Sequence, residues 1–160
     1  MSEVNQYGAT REGIQRYADS FNNSELLEFF GIRLEFPDLD TVWAIIDDPK
    51  TGHKGGMGEG ATFNGGVLAA LYDLVVGCAA ATVDPARRAA TIQLSMNFES
   101  PVIGDYVRAE AKVDRAGKTL VFVSAKVVDG EGRVCSHGQG VVRMSRDGWR
   151  GDSPADTGDR

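Results

Sequence analysis

The feature that most constrains this chain is a run of apolar residues near its middle, residues 66–83, with the sequence GVLAALYDLVVGCAAATV. A helix that is apolar on every face belongs in the middle of a fold. The run is interrupted by Asp73 and has no basic flanks, which is not typical of a membrane span. We therefore expect a long buried helix with the rest of the chain packed around it.

The segments on either side of this helix predict an α+β domain. Apolar residues at helical spacing occur in residues 10–30 and predict one broken helix or two short ones, ended by Gly31. Alternating or β-branched runs predict strands at residues 32–36, 41–46, 91–98, 106–113, 120–128 and 134–144. The glycine-containing turns after residues 113 and 128 favour hairpins, so we expect the last four strands to form an antiparallel meander.

These elements divide the chain into an N-terminal helical extension (residues 1–31), one domain (residues 32–144) and a tail (residues 145–160). The tail is rich in Asp, Gly and Arg and is expected to be disordered. The economical arrangement of the domain is one antiparallel sheet wrapped around one buried helix. The free edges of such a sheet invite pairing with a second copy of the chain.

Composition excludes several classes of function. A net charge of −6 disfavours nucleic acid as a partner, because such binding depends on clustered Lys and Arg. Cys78 and Cys135 lie in apolar segments without CxxC spacing or a nearby histidine ligand, so we expect buried reduced thiols and no metal or cofactor. The N-terminus lacks the basic start and apolar stretch of a secretory signal, which predicts a cytoplasmic protein without a membrane anchor.

Asp73 is the first candidate for chemistry, since it interrupts an otherwise apolar helix. An unpaired carboxylate buried there would cost several kcal/mol. It must therefore have a partner, stay protonated, or face a water-filled site. The last case suits a general base or nucleophile, and a hydrogen bond to a neighbouring backbone or hydroxyl group is the structural alternative.

Two further features accompany Asp73. Gly65 and Gly66 present backbone N–H groups at the positive end of the helix dipole, which suits a developing oxyanion, although a glycine-rich helix entry is also common. Thr91 begins the alternating strand on its polar face, with Gln93, and could hold a water beside Asp73 or simply be solvated. Gly65 and Asp73 lie ~12 Å apart along one helix, so only two copies with antiparallel helices would bring them together.

The residues from Asn64 to Asp73 resemble the helix entry of the hot-dog thioesterases of the phenylacetic-acid-degradation type, in which His-Gly-Gly leads to an acidic residue at this spacing. The resemblance continues through Thr91 to Pro101 and on to Gly132 before the last strand. It implies a hot-dog fold, acyl-CoA thioester hydrolysis, and a homodimer or dimer of dimers with the site at the subunit interface.

The same resemblance implies a role for each matching residue. Asp73 would activate water or attack the thioester, the N–H of Gly65 would polarise the carbonyl, and Thr91 would orient the water. The chain departs from the family at Asn64, which replaces the usual His. It departs again at Gly58, where the family has a carbonyl-polarising Asn or Gln; a lost oxyanion donor lowers rates about 10²–10³-fold. His53, Glu59, Thr62 and Asn64 are candidates to compensate.

Basic residues at two places could meet CoA phosphates: Arg115 and Lys118 flank a predicted hairpin turn, and Arg87 and Arg88 follow the central helix. The predicted function is hydrolysis of a small or medium acyl- or aryl-CoA. A hot-dog protein that binds acyl-CoA without turnover is the main alternative, favoured by Gly58, and a hydratase is a weaker one. The N-terminal helices would cap the pocket or extend an interface.

Overall fold

Two short helices open the chain, as the sequence predicts. The computed structural model describes residues 3–55 and 62–148. Helix α1 spans Arg11–Asn22 and helix α2 spans Glu25–Phe30. Ser24 caps α2 by accepting a hydrogen bond from the Leu27 N–H, and Gly31 ends it in the left-handed conformation at φ +60°.

The remaining elements form a sheet and one long helix. The strands are β1 (Arg33–Glu35), β2 (Thr41–Ile46), β3 (Arg87–Phe98), β4 (Val107–Ala116), β5 (Leu120–Asp129) and β6 (Val134–Gly148). Helix α3 spans Gly65–Ala79 and continues into a short 3₁₀ turn, Ala80–Thr82. All six strands join one antiparallel sheet in the order β1-β2-β4-β5-β6-β3.

The position of β3 corrects the predicted four-strand meander. Only β4, β5 and β6 follow one another as hairpins; β3 pairs with β6 and forms an edge of the sheet. The chain after β3 returns across the molecule, where the Phe63 N–H donates to the carbonyl of Val102 and Thr62 bridges to Ile103. Alternating side chains predict a strand and its buried face but not its neighbour, so the sequence could not show this crossing.

Helix α3 lies closely against the sheet because β6 has glycine where the helix crosses it. A Cβ on Gly138 would stand 2.6 Å from Tyr72 Cε1, and one on Gly140 would stand 2.6 Å from Val76 Cγ1. The Tyr72 hydroxyl donates to Ser136 Oγ at 2.8 Å, and Ser136 in turn donates to the Asn97 carbonyl. The predicted buried helix is confirmed, with its large side chains packed on the sheet.

Helix α3 also shows why composition is a weak guide to membrane insertion. Residues Gly65–Thr82 are long and apolar enough to cross a membrane, with a mean hydropathy of 1.6. In this fold they are the core helix, and the packing on the sheet explains the apolar composition.

The end of β6 lies beyond the predicted boundary. The strand continues past Met144 to Gly148, because its last residues pair with the start of β3, where Arg87 faces Gly148. The remainder of the predicted tail, residues 149–160, lies outside the described part of the chain.

Candidate active site

Asp73 lies on an open strip of α3. The helix buries Leu71, Tyr72 and Val75, whereas Asp73 is exposed and Gly77, one turn further on, is half-buried. Within residues 3–55 and 62–148, the carboxylate of Asp73 has no hydrogen bond or ion pair. The helix is therefore not buried on every face. In the protomer, Asp73 is accessible to water and is not held by a partner.

Among the described residues, one N–H group at the N-terminus of α3 has no acceptor. Asn64 is the N-cap, and its Oδ1 accepts a 2.8 Å hydrogen bond from the Gly66 N–H. The Asn64 carbonyl accepts from Val67 and Leu68, which leaves the Gly65 N–H without an acceptor in the part of the chain that the structure describes. Of the two glycines proposed from sequence, Gly65 is thus the available donor, and Gly66 is already hydrogen-bonded.

Thr91 is on the opposite face of the sheet from the one predicted. The register shifts between Thr91, which faces Val142, and Gln93, which faces Val141, so Ile92 is the extra residue of a β-bulge. Val142 is fully buried, and Thr91 therefore points toward α3, away from the polar face of Gln93. Its Oγ1 lies 3.2 Å from where a Cβ of Gly77 would be, one helical turn from Asp73.

Helix α3 and strand β3 run side by side in opposite directions. Gly65, at the start of the helix, lies beside the ring of Phe98 at the end of the strand; its Cβ position would be 4.0 Å from Phe98 Cζ. Gly77 lies beside Thr91, near the beginning of the strand. Asp73 and the Gly65 N–H are separated by eight residues of helix, about 12 Å, so they cannot contact the same carbonyl within one protomer.

The loop before α3 contains the residues expected to compensate for Gly58. Gly58 and Glu59 lie outside the described residues. His53 is buried; its Nδ1 accepts from the Lys50 N–H at 3.0 Å and its carbonyl accepts from the Asn64 N–H at 2.9 Å. His53 therefore holds the capping residue of α3 in place, a positioning role that its place in a polar loop did not reveal.

The two groups of basic residues meet at one end of the sheet. Arg87 donates through Nε to the Ser145 carbonyl at 2.6 Å and through Nη2 to the Lys118 carbonyl at 3.2 Å, which fastens the β4–β5 turn to the start of β3. The side chains of Arg88, Arg115 and Lys118 are exposed. The sequence suggested two separate phosphate sites, one at each pair of basic residues. In the fold both pairs lie at the same end of the sheet, which we call the basic end.

The two cysteines are buried free thiols, as predicted. Burial raises the pKa of Cys78 to about 12, and the charge of Asp73 acts in the same direction. Burial also raises the pKa of Cys135. A protonated thiol is a poor nucleophile, so neither cysteine competes with Asp73 for that role. The described residues contain no group of three His, Cys, Asp or Glu side chains able to hold a metal ion.

Comparison with known proteins identifies the class. The thioesterase superfamily matches residues 60–136. A Pseudomonas aeruginosa protein named as a candidate esterase is 30% identical over 129 residues, which cover 78% of this chain and 91% of that protein. A Thermoplasma volcanium protein with the same kind of name is 32% identical over 54% of this chain, and the chain spans 65% of its length.

The fold agrees with this assignment. The PaaI protein from the phenylacetic acid degradation operon of E. coli superposes with a TM-score of 0.72 at 18% identity, covering 84% of this chain and 94% of the other. The six-stranded antiparallel sheet around a central helix is the hot-dog fold. This chain belongs to the thioesterase superfamily, and its relatives support a hydrolytic, thioesterase-like function.

Proposed function

We propose that this protein hydrolyses the thioester of a small or medium acyl- or aryl-CoA, with Asp73 as the catalytic carboxylate. The observation that carries the proposal is the exposed, unpaired Asp73 on the open strip of α3, with Thr91 turned toward that strip by the Ile92 bulge. A carboxylate with access to water and a neighbouring hydroxyl group is suited to general base chemistry.

A second copy of the chain completes the site in this proposal. Strand β3 is an edge strand, and Ile92 and Phe98 expose 56% and 55% of their surface along it. An exposed apolar edge is a template for pairing with another strand. If two β3 strands pair antiparallel about a two-fold axis between Leu94 and Ser95, the Phe98 end of each lies opposite the Thr91 end of the other.

That pairing would bring the two halves of the chemistry together. Gly65 is beside Phe98, and Gly77 is beside Thr91, so each helix follows its own β3 in the opposite direction. The Gly65 N–H of one copy then approaches the Asp73 region of the other, and the dimer has two equivalent sites. Further pairing into a dimer of dimers is compatible with this arrangement.

The reaction follows from these positions. Asp73 takes a proton from a water molecule that Thr91 orients, and the hydroxide adds to the thioester carbonyl carbon. The carbonyl electron pair moves to oxygen, where the Gly65 N–H of the second copy stabilises the negative charge. When the carbonyl forms again the C–S bond breaks, and the thiolate takes the proton from Asp73. Direct attack by Asp73 would instead form an anhydride that water opens.

The basic end of the sheet supplies a place for the CoA phosphates. Arg115 and Lys118 are exposed there, on a chain whose net charge is −6. Local positive charge attracts an anionic substrate that the rest of the surface repels.

The experiment that tests the proposal is complementation between two inactive variants. Asp73→Asn removes the carboxylate. Gly65→Pro removes the N–H at the first position of the helix, where proline is tolerated. Asn64 is already extended, at φ −69° and ψ 139°, as the residue before a proline must be. Each variant alone is expected to lose thiol release from a panel of acyl-CoAs.

The mixture of the two variants distinguishes a shared site from a site within one chain. After the variants are refolded together, half of the dimers are mixed and each mixed dimer has one intact site, so about a quarter of the wild-type activity returns. If the mixture stays inactive, the shared site is wrong. If Asp73→Asn keeps full activity, the mechanism is wrong. Thermal stabilisation by acyl-CoA without turnover by wild type would favour the binding protein.

A further inference from the structure

A groove separates the N-terminal helix α1 from the segment that leads into β3. It has a volume of about 750 Å³ and is lined on one side by α1, including Tyr17, Ser20 and Phe21, and on the other by Pro85 to Ala89. This volume lies within the range of small-molecule sites, ~300–1,000 Å³. The family resemblance assigned no specific role to α1, and the groove is not part of the site described above.

The floor of the groove is apolar and well supported. Tyr17 and Phe21 stack with ring centroids 5.4 Å apart. The same face of α1 buries Ile14 and Ala18, at helical spacing from Tyr17 and Phe21, which fixes the helix to the domain. A Cβ on Gly13 would stand 3.0 Å from Pro85 Cγ, so helix and loop are already in contact at one end of the groove. The rings therefore form a fixed aromatic wall.

The groove lies next to the proposed catalytic strip. The hydroxyl of Tyr17 lies near the Cys78 thiol on α3, and the charge of Asp73 raises the pKa of the same thiol. Ala89 pairs with the buried Met144, which places it on the helix side of β3, as Thr91 is. Gly77 lies one helical turn, ~5.4 Å, beyond Asp73 and is beside Thr91. Ala89, at the groove, lies two strand residues, ~7 Å, from Thr91. These residues connect the carboxylate to the groove.

The residues between the groove and Asp73 are small and none of them is fully buried. Gly77 and Thr91 are half-buried and Ala89 is exposed. Arg16, Arg87 and Arg88 line the groove, whereas none of its described lining residues is Asp or Glu. The positive charges repel a cationic ligand and are compatible with a neutral or anionic one.

We propose that this groove receives the end of the acyl group remote from the thioester, and that Tyr17 and Phe21 of α1 determine which acyl groups are accepted. The inference rests on the proposed thioesterase function. The occupant is an apolar aliphatic or aromatic acyl group long enough to extend from the carbonyl beside Asp73 past Gly77. Shorter groups such as acetyl do not reach the aromatic wall.

The test fills the groove and measures acyl selectivity. Ser20 is exposed on the groove side of α1, and Ser20→Trp would occupy the space in front of Phe21. Gln15→Trp is the matched control, because Gln15 is exposed on the same helix but does not line the groove. Ala89→Leu narrows the groove from the other wall and serves if Ser20→Trp fails to fold.

In the wild type, each methylene that enters the groove is expected to raise kcat/KM by about fourfold, between acetyl-CoA and the longest acyl group that fits. Ser20→Trp and Ala89→Leu abolish that increase and lower kcat/KM for hexanoyl- and phenylacetyl-CoA by at least about tenfold, while acetyl-CoA hydrolysis is unchanged. Gln15→Trp behaves as wild type.

A binding measurement distinguishes failure of the groove proposal from failure of the proposed thioesterase function. Calorimetric titration of S-hexyl-CoA, a thioether that cannot be hydrolysed, is expected to show weaker binding to both filled variants than to the control. If this loss occurs in a protein without thioesterase activity, the groove is correct and the proposed function is wrong. If acyl-CoAs are hydrolysed with a chain-length preference that Ser20→Trp and Ala89→Leu leave unchanged, the groove proposal is overturned. It is also overturned if Ser20→Trp, which lies on α1 and not on β3, changes the oligomeric state, since a second copy would then occupy the groove.

Discussion

The hydroxyl oxygen of Thr91 stands 3.2 Å from the position that a Cβ on Gly77 would occupy. The contact exists because the Ile92 bulge rotates Thr91 from the outer face of β3 to the side of α3. Gly77 is one helical turn beyond Asp73, so the contact places a hydroxyl group next to the open strip of the helix. It also places the backbone of α3 next to the edge strand that is proposed to pair with the second copy.

Gly77→Ala tests this relationship. Alanine favours the helix by about 0.5–1 kcal/mol, but its Cβ displaces Thr91, so the free energy of unfolding is expected to change little while thioesterase activity falls. Adding Thr91→Ala removes the obstacle and should stabilise the Gly77→Ala protein. The two substitutions are expected to couple by about 0.5–3 kcal/mol in urea unfolding.

The control for this cycle is Gly52→Ala, because a Cβ on Gly52 meets no atom within 4 Å. That substitution should leave activity unchanged and show no coupling to Thr91→Ala. Additive effects of Gly77→Ala and Thr91→Ala would contradict the contact.

Asn64 separates the stability of α3 from the chemistry at its N-terminus. Asn64→Ala removes the cap of the Gly66 N–H and should lower the free energy of unfolding by ~1 kcal/mol. Asn64→Asp keeps the cap and adds a favourable charge at the helix N-terminus, so stability is retained. The carboxylate beside Gly65 opposes a developing oxyanion, and kcat should fall. Chemical unfolding and thiol release measured together check both effects, and an active Asn64→Asp protein would argue against Gly65 as the oxyanion donor.

Arg115 and Lys118 are expected to act on the CoA portion alone. Replacing both with Ala should raise KM for acyl-CoA by about tenfold and weaken its dependence on salt, because phosphate contacts are charge-assisted. Hydrolysis of the same acyl group on N-acetylcysteamine, which has no phosphates, should not change. Lys50→Ala, an exposed cation on the loop after β2, is the control. An equal effect on both substrates would mean that the basic end does not bind phosphate.

The lowered pKa of Asp129 predicts that the free energy of unfolding decreases in acid. Burial alone would raise its pKa, but N–H groups of Arg133 and Glu131 and the Arg133 guanidinium outweigh burial and lower it. A lowered folded-state pKa contributes stability above the unfolded-state value of about 3.9, and this contribution is lost as the pH falls through the folded-state pKa. Asp129→Asn should therefore be less stable than wild type at about pH 7, with the difference shrinking by about pH 3.

Urea unfolding at both pH values measures this difference. Glu131→Gln, an exposed neighbour in the same turn, serves as the control and should track wild type at each pH. A constant gap between Asp129→Asn and wild type over the whole range would show that the charge of Asp129 is not the cause.

The elements of this fold could be predicted because they depend on local patterns. Apolar residues 66–83 predicted the core helix, Ser24 and Gly31 marked the ends of α2, and alternation predicted the strands. Asp73 was identified as a candidate because a carboxylate inside an apolar helix is costly unless it reaches water. Each of these inferences needs only neighbouring residues, since caps, turns and periodicity are properties of a short segment of chain.

Tertiary structure decided what joins distant segments. The pairing of β3 with β6 set which edge is free, and the Ile92 bulge turned Thr91 toward the helix, against the strict alternation of the sequence. Packing also exposed one strip of α3 and gathered Arg87, Arg88 and Lys118 at one end. The sequence alone determined which residues are apolar, charged or able to turn the chain. Which of them meet depended on strand neighbours and register, because those are fixed by the packing of the whole sheet on the helix rather than by any local preference.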